Sequence, residues 1–164
     1  MTDPLLRYPL TVLSEEEDMF RELVREFAEN KIRPHVQAMD REGKFDQAIL
    51  KEFFPMNLMG IQIPEEYGGA AGSFFMAILA VEEFSRVDAS AGVIVDVQNT
   101  LVNNALLRWG SAAQKRQYLP KLASSAVGAY ALSEPGAGSD AFSLKTYAEF
   151  SRGQYYLSGQ KLWI

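Results

Sequence analysis

Cysteine is absent from this chain of 164 residues, and His35 is its only histidine. Without cysteine there is no disulfide, no thiolate metal site and no cysteine nucleophile. A single histidine also excludes a metal site built from several imidazoles.

Long basic runs and long apolar runs are also missing. The net charge is −5, and general nucleic-acid binding is disfavoured because it needs a basic face that neutralises phosphates. No apolar run approaches the roughly 20 residues that span a bilayer. The segment Met1–Leu13 has the character of neither a signal peptide nor a transit peptide. We expect a soluble protein without a membrane span, in the simplest case a bacterial cytoplasmic one.

The first part of the sequence predicts helices. Five residues that favour helix N-caps each precede a segment with helical spacing of its apolar residues. They are Ser14, Asp46, Ser73, Asp88 and Ser111. Pro34 should bend or end the first helix. The second should run through Phe53 and Phe54, with Pro55 bending it, and end at Gly60. The fourth should extend to about Trp109, with its apolar segment Ala91–Val97 inside a bundle.

The last part of the sequence predicts strands. Val127–Ser133 resembles a short buried strand, and the segment Leu144–Phe150 alternates apolar and polar residues with period two. Ser151–Gly153 has the composition of a hairpin turn, and Gln160–Ile164 begins another strand pattern.

These patterns predict an α+β fold with two domains. Residues 1–126 form an amino-terminal all-α bundle, and residues 127–164 form the first strands of a β domain. A sheet with so few strands has an open edge. We therefore expect either a fragment or a chain that a partner completes.

A glycine-rich loop, Gly136–Ala141, fits the loose dinucleotide-binding pattern G-x-G-x-x-A. The next segment alternates as a strand, however, and no βαβ unit or P-loop lysine is present. Two interpretations stay open. The segment is a long hairpin loop, or its glycines let the backbone approach a flat ligand while Ser133 and Ser139 supply hydroxyls.

Two amides and one indole also have two interpretations each. Gln98 and Asn99 lie within a strongly apolar helix, and buried amides need hydrogen-bond partners. They are either structural groups or groups that line a pocket. Trp163 is either a core residue or a stacking surface for an aromatic ligand.

Four segments, in this order, resemble motifs of the acyl-CoA dehydrogenase family: Pro64–Gly69, Gln117–Pro120, Tyr130–Asp140 and Gly159–Ile164. Three further segments are similar to the short/branched-chain (2-methylacyl-CoA) subgroup: Val87–Ser90, Val97–Leu101 and Ser139–Thr146. The resemblance implies an amino-terminal helical domain, a middle β-barrel or sandwich domain, and a carboxy-terminal bundle that this chain lacks.

The resemblance also implies a function. Members of the family use FAD to convert an acyl-CoA into the 2-enoyl-CoA and pass electrons to an electron-transfer flavoprotein. A complete protein would be a homotetramer or a dimer. The catalytic Glu of the family lies in the carboxy-terminal bundle, so we expect no catalytic residue here and no activity from this chain alone. The alternatives are a non-catalytic binding or assembly module and an acyl-CoA oxidase.

Site residues follow from the matching motif positions. The resemblance assigns flavin contacts to Tyr130, Ala131, Leu132, Ser133, Gly138, Ser139, Trp163 and Ile164. It assigns substrate contacts to Ser139, Gln98, Asn99 and Val102. Glu134 matches a motif position with a structural role.

Overall fold

Residues 12–164 are described by the structure, which is a computed structural model. Residues 1–11, in which no signal or transit peptide is predicted, lie outside the described residues. The chain divides into a helical unit, residues 12–128, and a hairpin unit, Ala129–Ile164. The α+β class is confirmed. The domain boundary predicted after residue 126 stays a prediction.

Seven α-helices form the helical unit of the described chain: α1 (Glu15–Phe27), α2 (Val36–Glu42), α3 (Gln47–Glu52), α4 (Phe74–Ser85), α5 (Ala89–Asp96), α6 (Asn104–Trp109) and α7 (Ala112–Ser124). All five predicted N-caps are confirmed, each accepting a backbone N–H from its own helix. Ser14 and Ser111 belong to full capping boxes. These bonds satisfy N–H groups that have no partner within the helix.

Pro34 disturbs the helix that starts at Ser14, as predicted. After α1 the backbone continues as a π-helix, Ala28–Ile32, and a 3₁₀ turn, Arg33–His35, before α2 begins. Proline lacks an N–H and its ring crowds the preceding turn. The hydrogen-bond pattern therefore changes around this residue.

The second predicted helix is wrong in its last part, because α3 ends at Glu52 instead of continuing through Pro55 to Gly60. Proline disfavours helical backbone in the residue before it, and Pro55 follows Phe54 directly. The chain turns instead, with the Leu58 N–H donating to the Phe53 carbonyl at 3.0 Å. This turn directs the Phe53 ring into the core.

Three phenylalanines form the centre of that core. The rings of Phe53 and Phe84 stack with centroids 5.2 Å apart, and both are fully buried. Phe27 meets each ring edge-on, at 5.8 and 6.0 Å. Such pairs contribute roughly 0.5–1.5 kcal/mol each beyond the burial of apolar area. The cluster joins α1 and α4 to the turn after α3.

An ion cluster lies beside this core. The Glu83 carboxylate on α4, only 3% exposed, accepts from Arg25 Nε and Nη2 on α1 at 2.9 and 2.7 Å, and from Arg86 at 2.7 Å. The hydrogen bond from Arg25, followed by that from Arg86, lowers the pKa of Glu83. A buried carboxylate is stable only when it is paired in this way.

The long helix predicted from Asp88 to Trp109 is continuous but changes type. A π-helix, Val97–Asn103, separates α5 from α6. Burial of Ala91–Val97 was predicted too broadly, because Val93 is 57% exposed while Ala91 and Val95 are buried. Only the face of α5 that packs on α4 is enclosed.

The hairpin unit contains two antiparallel strands, β1 (Tyr147–Ser151) and β2 (Gln154–Ser158). The predicted turn is confirmed. Arg152 and Gly153 both have positive φ, 52° and 77°, as the favoured two-residue hairpin turn requires. Phe150 lies opposite Tyr155, with ring centroids 4.9 Å apart.

Two predicted strands and part of a third are wrong. Val127–Ser133 is not a strand, and no described strand runs beside it. It is not buried either, since Val127 is 53% exposed. Gln160–Ile164 is not a strand either, since Trp163 leaves the extended region with φ 59°. The residues before Tyr147 also lie outside β1, although their alternation is regular.

Neither a membrane-spanning helix nor a metal-binding cluster is found among the described residues. Within residues 12–164, no helix is long and apolar enough to cross a membrane. The same residues contain no group of three or more His, Asp or Glu side chains that could hold a metal ion.

Candidate functional site

Three predicted substrate residues, Gln98, Asn99 and Val102, lie in the π-helix of the helical unit. A π-helix widens the backbone by one residue per turn and often occurs at functional sites. Here it presents a row of buried amides, because Gln98, Asn99 and Asn103 are at most 1% exposed.

Asn99 connects the π-helix to the turn after α3. Its Oδ1 accepts the Ile61 N–H at 2.9 Å, and its Nδ2 donates to the carbonyls of Leu58 at 2.8 Å and Val95 at 2.9 Å. Asn103 adds a bond from its Nδ2 to the Met59 carbonyl at 2.8 Å. Oδ1 of Asn103 has no hydrogen-bond partner among the described residues.

Gln98 binds the chain where it leaves the helical unit. Its Nε2 donates to the carbonyls of Leu122 at 2.9 Å and Ala126 at 3.0 Å. Its Oε1 accepts the Gly128 N–H at 2.7 Å. Val102 packs on the same residue, since a Cβ on Gly128 would overlap the Val102 side chain. Of the two interpretations of the amides, these bonds support the structural one, and the pocket-lining role stays a prediction.

The hairpin unit contains the predicted flavin residues. Tyr130 and Leu132 are 43% and 39% exposed. After Ser133 the chain reverses in a tight turn, in which Glu134 and Ala137 exchange both backbone hydrogen bonds at 3.1 Å. Pro135 occupies the turn position for which its fixed φ is suited.

The structure brings the two flavin motifs together within the hairpin unit. The Leu162 N–H donates to the Ser133 carbonyl at 2.9 Å. The Lys161 ammonium donates to the Leu132 carbonyl, also at 2.9 Å. The backbone of the segment Tyr130–Ser133 therefore lies beside the segment that begins at Gly159, as two neighbouring walls of one site would.

Glu134 is buried between these segments, at 7% exposure. The Thr146 side chain, the Lys145 N–H and the Lys161 ammonium, in that order, lower the pKa of Glu134 to about 2. The Thr146 hydroxyl makes no hydrogen bond of good geometry. The hydrogen bonds that the carboxylate accepts come from the Lys145 N–H, the Thr146 N–H and the Lys161 ammonium, and they stabilise its ionised form. A carboxylate of such low basicity, whose oxygens already accept three hydrogen bonds, is poorly suited to act as a general base near neutral pH.

Glycines of the two motifs have different reasons to be glycine. Gly159 has φ 152°, and a Cβ there would overlap Thr146. Gly136 and Gly138 have no positive φ, and a Cβ on either would meet no described atom within 4 Å. Intramolecular packing therefore does not require glycine at these two positions. The open backbone suits close approach by a flat ligand.

Apolar side chains at the motif ends are exposed rather than packed. Trp163 is 94% exposed and Ile164 is 67% exposed. Ser139 and Ala131 are exposed as well. Of the two interpretations of Trp163, core residue and stacking surface, the first is not met within the hairpin unit. An exposed aromatic ring and an open glycine backbone are chemically compatible with a flat aromatic cofactor.

Sequence reasoning missed two contributors to these arrangements. Lys161 was not singled out, although a lysine in one motif and a buried acid in the other are a recognisable pair. Asn103 was also missed. It lies four residues after Asn99, a helical spacing that indicates a shared face.

These features define a class of protein: an amino-terminal helical domain is followed by a glycine-rich loop and a β-hairpin. A model described as "Acyl-CoA dehydrogenase, N-terminal domain" matches residues 14–126, which is most of the chain. The chain belongs to the acyl-CoA dehydrogenase family, as the motifs predicted.

Relatives agree with the predicted subgroup. The probable short/branched chain specific acyl-CoA dehydrogenase of Dictyostelium discoideum is 50% identical over 157 residues, covering 95% of this chain and 38% of the relative. The mitochondrial short/branched chain specific acyl-CoA dehydrogenase of Bos taurus is 40% identical over 156 residues, covering 95% of this chain and 36% of the relative. The chain thus spans less than two fifths of the length of these relatives.

A solved structure supports the fold and the cofactor. The acyl-CoA dehydrogenase of Bacillus anthracis, complexed with FAD, superposes with a TM-score of 0.86 at 32% sequence identity. The match covers 95% of this chain and 27% of that protein. FAD, the predicted cofactor, is therefore confirmed for a family member with this fold.

Proposed function

We propose that this chain is the amino-terminal part of an FAD-dependent acyl-CoA dehydrogenase. Its reaction would be the α,β-dehydrogenation of a short or branched-chain acyl-CoA to the 2-enoyl-CoA. The observation that carries the proposal is the hydrogen bond between Ser133 and Leu162, which joins the two flavin motifs. Names of relatives support the acyl class but belong to longer proteins.

The proposed flavin contacts are Tyr130, Ala131, Leu132, Ser133, Gly138, Ser139, Trp163 and Ile164. Open backbone at Gly138 and exposed rings at Tyr130 and Trp163 support them. Bound FAD would supply the acceptor for the hydride that leaves the substrate. The contribution of this chain is to orient the ring through backbone and hydroxyl groups, and to cover it with apolar side chains that exclude water.

The proposed substrate contacts are Ser139, Gln98, Asn99 and Val102. Ser139 would bind a polar part of the coenzyme A moiety. Val102 is small and apolar, which suits a short or branched acyl tail. The amides of Gln98 and Asn99 are fully occupied by backbone groups. They would therefore shape a tail pocket by holding its walls, with no polar atom left over for the substrate.

Catalysis by these residues alone is not expected. Glu134 is the buried acid of the flavin loop, and its hydrogen bonds keep it ionised and occupied. We propose that the catalytic base is a Glu outside this chain. The further proposals are electrons passed to an electron-transfer flavoprotein, assembly of the complete protein as a homotetramer or dimer, and a cytoplasmic location in a bacterium.

The test is expression of the complete coding sequence to which this chain belongs. A yellow product with bound FAD that reduces in the presence of 2-methylbutyryl-CoA or butyryl-CoA supports the proposal. A well-folded, colourless product that ignores added FAD refutes it and favours a binding or assembly module. Rapid peroxide formation in air during turnover would favour an oxidase instead. The chain of 164 residues, assayed alone, should show no dehydrogenation.

A further inference from the structure

Glu134 lies at the centre of the flavin loop without taking part in the proposed chemistry. Its Oε2 accepts the Lys145 N–H at 2.6 Å. Its Oε1 accepts the Thr146 N–H at 3.0 Å and the Lys161 ammonium at 2.9 Å. A carboxylate this buried is costly unless several donors compensate for its lost hydration. Three donors compensate for the lost hydration of Glu134, so the surrounding residues fix the position of its carboxylate.

Lys161 extends these bonds to the second motif. The same ammonium that binds Glu134 also donates to the Leu132 carbonyl at 2.9 Å, and its side chain is 24% exposed. The next residue, Leu162, donates its N–H to Ser133. Charge-assisted bonds are shorter and stronger than neutral ones. Within the described hairpin unit, Lys161 is thus the one residue of the second motif whose side chain forms an ion pair with the first motif.

The acid and the turn share one residue. Backbone groups of Glu134 also close the Pro135–Gly136 turn by exchanging bonds with Ala137. A shift of the carboxylate would therefore move the turn and the glycine backbone at Gly138 that follows it. Moving Lys161 would change the spacing between the Leu132 carbonyl and the second motif.

We propose that Glu134 and Lys161 are positioning residues that hold the two flavin motifs in register, and that losing their ion pair weakens flavin binding. The ion pair and the bonds from Lys145 and Thr146 form a clamp. The expected effect of the clamp on FAD binding rests on the proposed function. Its own hydrogen bonds are testable without any flavin.

The first experiment uses the holoenzyme made from the complete coding sequence. Glu134→Gln, Lys161→Met and the double variant are compared with Glu149→Gln, a control acid that is exposed on β1. Each single change should raise the Kd for FAD about tenfold, equivalent to about 1.4 kcal/mol. The double change should raise it by much less than the product of the two, because both remove one interaction. The visible circular dichroism of the bound flavin should change in the same variants and stay constant in the control.

Several outcomes would overturn the proposal. One is a Kd within twofold of the parent for Glu134→Gln and Lys161→Met, and another is strictly additive effects. A variant that does not fold is replaced by Lys161→Gln, which removes the charge but leaves the Glu134 backbone bonds in place.

A second experiment separates the clamp from the flavin function. In the chain of 164 residues, amide exchange at Lys145 and Thr146 should be faster in Glu134→Gln than in Glu149→Gln. Equal exchange would refute the clamp even if FAD binds. If the unchanged full-length protein does not bind FAD, the proposed function is refuted. The amide exchange rates at Lys145 and Thr146 would still show whether the clamp exists.

Discussion

Replacing Asn99 with alanine tests whether buried amides hold the helical unit together. Asn99 is fully buried, and its three hydrogen bonds reach Ile61, Leu58 and Val95. The bonds to Ile61 and Leu58 span 38 and 41 residues. Alanine would leave at least the Ile61 N–H and the Leu58 carbonyl buried without the hydrogen-bond partner that Asn99 provides.

The expected magnitude follows from those two groups. A buried polar group that loses its partner costs about 1–3 kcal/mol. Two such groups give a loss of about 2–6 kcal/mol in the free energy of unfolding. Domains of this size have a total stability of roughly 5–15 kcal/mol. Asn99→Ala should therefore remove a large part of the stability and shift the unfolding midpoint clearly.

Urea unfolding followed by circular dichroism at 222 nm measures this change, because the signal comes from the helices. The control is Asn104→Ala, which removes the same amide five residues further along, where the side chain is only half-buried. We expect the control to stay within about 0.5 kcal/mol of the parent. A loss below about 1 kcal/mol for Asn99→Ala, or equal losses in both variants, would refute the reasoning.

Three other substitutions test other contacts. Glu83→Gln should lower the melting temperature at pH 7, and its difference from the parent should narrow by pH 3. The reason is that the pKa of Glu83 is lowered by folding, so its stabilisation is complete above the ordinary value of 4.5 and is lost as pH falls through the folded value. Gly159→Ala should speed amide exchange in β2, because its Cβ overlaps Thr146; unchanged exchange would contradict the packing. Gly138→Ala should leave the urea midpoint of the chain unchanged while raising the Kd of the holoenzyme for FAD, and an unaltered Kd would argue against close approach by the flavin.

Local signals made the helix starts predictable. The cap at Ser14 and the cap at Ser111 depend on residues only three positions away, so adjacent sequence contains all the information. The end of α3 was missed because the effect of Pro55 on Phe54 was treated as a bend within a helix. The prediction of a strand at Val127–Ser133 was wrong for another reason. A strand exists only beside another strand, and sequence pattern does not reveal whether one is there.

The candidate site shows the same division. The motif residues were found from the sequence because their order and spacing are themselves the signal. The roles of Gln98 and Asn99 were left open, since all their partners except Val95 lie 24–41 residues away. The ion pair between Lys161 and Glu134 was missed because it joins two motifs that were interpreted separately.

The amide row of the π-helix has a consequence for how this domain can diverge among its relatives. Asn99, Asn103 and Gln98 bind main-chain groups of their partner segments, and main-chain groups are the same for every residue except proline. The residues of segment 58–61 and of the chain at 122–128 are therefore free to be exchanged as far as these bonds are concerned. The three amides lack even this freedom, so they should stay fixed for their hydrogen bonds, while Leu58, Ile61 and Gly128 are restricted by packing alone and should accept other residues that fill the same space.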